Sequence, residues 1–241
     1  MNDVSFPALP QRLDPLSCFH KAQQHALFQT LARLSATDPH SPPCVRYVLG
    51  QVHDMLRYGE RLARAIGLHA VSWIAPHCPQ GAARLALRLD EQLRSIAGLD
   101  DAHRAIAAMD AGMRGPALAS LMQGVRAHAA QALGAIAHAE SEARRVLWPV
   151  HDDDALAMLE RAILAEFDPV ELRYAMQWLI PAVHTGERVR LFAILAGQGD
   201  GQLANAFFAM SKDLLCRADH DALLQAIGSD GAAGRFGMRG G

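Results

Sequence analysis

Apolar residues recur along most of the chain at three- and four-residue spacings, and no stretch alternates as a strand would. The period predicts helices nearly throughout. Asp14-Pro15 reads as an N-cap followed by proline in a first turn, opening a helix to about Ser35. After the loop "TDPHSPP", a second helix runs from about Pro43 to Ile74, where "APHCPQG" breaks it. A third covers about Ala82 to Ala97, and a short one lies around "DAHRAIAAMDAGM". A long helix then extends from about Ala117 to Leu147. Asp152 to Asp154 cap "ALAMLERAILAEF", and three further helices follow in "DPVELRYAMQWLIPAV", "GERVRLFAILAG" and "GQLANAFFAMSKDLLC". The Gly-rich end, from residue 229, is expected to be disordered. The fold class is therefore all-α: a four-helix unit over 1–150, a helical annex over 151–228 and a tail over 229–241.

Each residue advances a helix by about 100°, which fixes the faces. On the first helix His20 shares a stripe with Leu16, Leu27, Leu31 and Leu34, whereas His25 lies off it. On the long helix the stripe is Val125, Ala129, Ala132, Ile136, Ala139, Ala143 and Leu147. His138 sits nearly opposite, Glu142 lies a quarter-turn or more from its centre, and Glu140 borders it on the other side. His138 and Glu142, four residues apart, have the spacing at which a helix presents two ligands to one ion. Their position instead predicts a solvated pair.

Composition narrows the function classes. The 241 residues are 51% hydrophobic with a formal net charge of −2, so a sizeable core forms and no basic footprint for nucleic acid appears. No apolar run reaches the roughly 20 residues of a membrane span. The N-terminus has no basic region followed by an apolar one, so a cytoplasmic location is expected. Cys18, Cys44, Cys78 and Cys216 are scattered without a CxxC, as free thiols in a reducing compartment would be.

Several segments together resemble the hemerythrin-like (HHE, cation-binding) family. "DPLSCFHKAQQHALFQTLARL" looks like its first helix, with His20 at the ligand position. "LHAVSWIAPH", "LRLDEQLRSIAGL" and "AHAESEARRVLW" are similar to its second, third and fourth helices. "MQWLIPAVHTGERVRLFAILAG" resembles a C-terminal extension of one subgroup and is the most specific match. The resemblance implies an up-down four-helix bundle with a C-terminal annex. It also implies two irons held on inward histidines and carboxylates.

The ligand positions depart from that pattern. Anchored on Pro76, the second helix's His-x-x-x-Glu pair falls on Ile66 and Ala70, with His69 one position short. Anchored on Ile96, the third helix's histidines fall on Leu89 and Gln92. Anchored on Trp148, the fourth helix's pair falls on Ala135 and Ala139, and a further histidine becomes Ala143. Only His20 and Glu140 survive. A three-residue gap would bring His138 and Glu142 into register, but it turns the helix by roughly 300° and so requires a bulge. A diiron site needs several converging N and O donors. The expectation is no cofactor, with non-haem iron binding O₂ or NO as the alternative.

Other features carry less. "HCP" at His77 to Pro79 permits a haem or thiol-sensor role for Cys78, although a helix break explains Pro79. His53-Asp54 and "HDDD" (His151 to Asp154) are polar clusters, the second best read as a helix N-cap. Trp73, Trp148 and Trp178 are expected to pack in the core or between bundle and annex. No nucleophile elbow or phosphate loop is present. The function expected is a non-catalytic binding or interaction module. Its partners would be a second copy, through the C-terminal helices, or a small apolar ligand where alanines replace ligands.

Overall fold

The computed structural model describes residues 12–110, 113–197 and 201–232, the last four without their side chains. Those residues form nine helices and no strand: α1 (Ser17–Ala36), α2 (Pro42–Ile74), α3 (Pro79–Ala107), α4 (Arg114–Leu147), α5 (Asp153–Ala165), α6 (Pro169–Ala182), α7 (Thr185–Ala196), α8 (Gln202–Leu214) and α9 (Arg217–Ala232). Among them, no helix is long and apolar enough to cross a membrane.

The first four helices pair in a closed ring, α1 with α2, α2 with α3, α3 with α4, and α4 with α1. Both predicted stripes face its interior. Leu16, just ahead of α1, and His20, Leu27 and Leu34 of α1 are buried, with Leu31 partly so, and all seven stripe residues of α4 are buried. Close approach is built in at Gly124, where a Cβ would meet Leu99 Cδ2 at 2.8 Å.

The opposite side of α1 is buried too. Cys18, Ala22 and Ala26 are covered, and α6 packs along the helix. The annex is thus laid against α1, which becomes a central helix with two apolar faces. In α6, Leu172, Ala175, Met176, Trp178, Leu179 and Ile180 are buried between α1 and α8. The apolar annex segments therefore cover the bundle, while Val170 and Tyr174 on the far side of α6 remain exposed.

Boundaries differ in places. α3 runs unbroken through Gly98 and absorbs the separate short helix expected near residue 101. A helical glycine costs only about 1 kcal/mol, and burial of Leu99 and Ile106 beyond it offsets that. Asp14 is not the N-cap of α1. Its carboxylate accepts from Leu16 N at 3.1 Å in the turn before the helix and pairs with Arg144 at 3.0 Å. Asp152 does cap α5, accepting from Ala155 N at 2.9 Å, so "HDDD" is a helix start. α9 was not expected. Leu223 and Ile227, one turn apart, bury it, and it passes residue 229, where the tail was expected to begin. Residues 233–241 of that tail lie outside the described residues.

Candidate functional site

The positions that the family resemblance assigns to metal ligands lie buried on three helices of the ring. Ile66 and Ala70 of α2, Leu89 and Gln92 of α3, and Ala135, Ala139 and Ala143 of α4 are all buried. Six of these seven side chains have no donor atom. Gln92 alone is polar, and a neutral amide is a weak ligand for iron beside carboxylate or imidazole.

The two surviving candidates meet. His20 Nδ1 lies 3.3 Å from Glu140 Oε1 across α1 and α4. The Glu140 carboxyl is held below its ordinary pKa, chiefly by the His20 hydrogen bond against the opposing effect of burial. Arg144 Nη2 reaches its second oxygen at 3.4 Å. Both oxygens of Glu140 thus have protein partners, one of them a cation.

His138 and Glu142 behave differently from the solvated pair expected. His138 is half-buried, and its Nε2 is enclosed without a hydrogen-bond partner. Glu142 is only 8% exposed, so it is not a surface residue. α3 approaches α4 at Gly81, where a Cβ would come within 2.6 Å of Glu142 Oε2, and that close approach encloses the carboxylate. Arg84 Nη2 donates to Oε1 at 3.2 Å and Arg145 Nη2 to Oε2. Burial opposes ionisation of Glu142, but the two arginines outweigh it and leave its pKa lowered. Glu142 thus faces α3 and is paired with two guanidinium groups.

Cys78 joins this cluster. It is the N-cap residue of α3, and its sulfur accepts from Arg145 Nη2 at 3.2 Å. Arg145 first, then the Gly81 backbone, lowers the thiol's pKa. A helix N-terminus with an adjacent guanidinium favours thiolate. At neutral pH Cys78 is expected to alkylate with iodoacetamide faster than the exposed Cys44 and Cys216, and Arg145→Ala should slow it severalfold. Peptide mass spectrometry over a time course reads this directly. Equal rates at the three sites would count against the activation.

The segment "WLIPAVHTGER" turns the chain from α6 to α7. His184 and Glu187 form a reciprocal capping box at the start of α7. The Arg188 side chain is buried and donates to the Ile180 carbonyl at 2.9 Å, satisfying one of the acceptors that the end of α6 leaves open. Glu187 also receives Lys21 of α1 at 2.7 and 2.9 Å. Beside it, the fully buried Glu160 of α5 accepts from Arg190 of α7 at 2.8 and 3.1 Å and from Cys18 of α1 at 3.2 Å. Burial, then Glu160, raises the Cys18 thiol's pKa well above its ordinary value, so this cysteine stays a thiol. The specific motif of the annex thus builds a polar seam that fixes α5 and α7 to α1. Nothing in the sequence pattern alone predicted the partners across that seam.

The tryptophans divide between core and corner. Trp178 is buried on α6, edge-on to His25 with ring centroids 6.3 Å apart. Trp148 donates from Nε1 to the Leu13 carbonyl at 3.1 Å. Trp73 packs against His151 with ring centroids 4.8 Å apart and the planes tilted by 43°. Compared with protein-family models, curated proteins and solved structures, the chain matches none of them.

Proposed function

We propose that the chain is a non-catalytic protein of hemerythrin-like design, an up-down four-helix bundle with a helical annex, that acts as a binding or interaction module. In this reading its interior no longer holds two irons. One observation carries it: the ring's inward positions that would supply ligands from three helices are Ile66, Ala70, Leu89, Ala135, Ala139 and Ala143, all buried and all without donor atoms. Burying such side chains favours the packed apolar state by about 25 cal/mol per Å² removed from water. The His20–Glu140 contact is the remnant that supports an iron reading, but one histidine and one carboxylate cannot hold a diiron unit.

Metal content tests this. Untagged protein produced with iron and zinc in excess and analysed by mass spectrometry should contain far less than one iron per chain. Near two irons per chain would overturn the reading and restore O₂ or NO binding.

A further inference from the structure

Outside the interior, among the described residues, one group of side chains has the composition of a metal site. We infer that His53, Asp100 and His103 form a surface site for one divalent transition-metal ion, zinc foremost. His53 comes from α2, and Asp100 and His103 stand three residues apart on the C-terminal part of α3, so one helical turn places them side by side. One ligand atom from each lies within 4.8 Å of the others, and His53 Nδ1 is 3.9 Å from Asp100 Oδ1. Ligand atoms around a tetrahedral zinc stand about 3.3 Å apart, so side-chain rotations on the order of 1 Å close the set.

Three further observations favour a cation there. The two imidazoles lie nearly parallel, 27° apart with centroids at 5.7 Å, an arrangement that protonation of both would oppose. His103 Nδ1 is buried with no hydrogen-bond partner. Arg104 Nη2 holds the other oxygen of Asp100 at 3.3 Å and leaves Oδ1 for the ion. The composition, two imidazoles and one carboxylate, matches zinc and its neighbours rather than calcium or magnesium. The fourth position opens on a cleft of about 230 Å³ between α2 and α3, which His53 and Asp100 line with Arg57 and Arg64.

This site is independent of the interior reading, and the test separates them. Chelator-stripped, untagged full-length protein is titrated with Zn(II) by calorimetry and with Co(II) by visible absorption. One ion per chain is expected, at micromolar affinity or tighter. His53→Ala and Asp100→Asn should each weaken it at least tenfold, while His138→Ala leaves it unchanged. His53 is half-exposed, so its variant reports on binding even if a His103 variant folds poorly. Circular dichroism checks the fold of each. No saturable binding, or binding that His53→Ala and Asp100→Asn leave intact, overturns the inference. Two irons that persist in His53→Ala would instead overturn the interior reading and leave the outer site to be judged by its zinc titration.

Discussion

Arg190→Ala should lower the thermal midpoint by about 10 °C and do so for the whole chain in one transition. Glu160 is fully buried, and Arg190 supplies the cation that compensates its charge through two hydrogen bonds. Cys18, with its thiol kept protonated, donates only weakly to the same carboxylate. Removing one member of a buried pair leaves an uncompensated charge and costs about 3–5 kcal/mol. In a domain of this size each kcal/mol moves the midpoint by roughly 2–4 °C. The transition stays single because Cys18 of α1 reaches the same Glu160 carboxylate, and α1 is also a wall of the four-helix ring. Scanning calorimetry of wild type and variant measures both points. A midpoint within 2–3 °C of wild type would mean that the seam contributes little. Two separated transitions would mean that ring and annex unfold independently.

Phe19→Ala should be comparably damaging, at about 3–5 kcal/mol, because the ring is fully enclosed and its loss leaves a cavity. The Phe19 carbonyl also accepts from the buried Tyr58 hydroxyl at 3.1 Å, so movement of this turn disturbs α2 as well. Phe28, nine residues along the same helix, is 56% exposed. Phe28→Ala should change stability by less than about 0.5 kcal/mol. Paired urea titrations of the two variants test how α1 is oriented between ring and annex. Similar losses for both, or a larger one at Phe28, would contradict the face assignment.

Residues whose partners lie within one turn were legible, and those whose partners come from another element were not. The stripe of α4 followed from the 100° rotation alone, and all seven of its residues are buried. Asp152 was legible as a cap because a cap needs only its own next turn. Glu142 was misplaced because its angular position said nothing about Gly81, whose missing Cβ lets α3 enclose the carboxylate. α1 read as a one-faced helix because its second face is buried only by an annex more than a hundred residues away. α9 passed unnoticed because its buried apolar residues, Leu223 and Ile227, are few and sit next to a glycine-rich end. His53, Asp100 and His103 were missed for two reasons together. The expected break after Ala97 separated Asp100 from the short helix assigned around His103, and nothing local linked either to His53. His20 and Glu140 were singled out separately by the family resemblance, and the structure brings them together at 3.3 Å.

The central claim is that apolar side chains occupy the place where a hemerythrin-like protein would hold its irons. Anomalous diffraction at the iron edge, from crystals soaked anaerobically in Fe(II), tests it most directly. No anomalous peak is expected in the interior among His20, Ile66, Leu89 and Ala139. A pair of interior iron peaks ligated by His20 and Glu140 would contradict it.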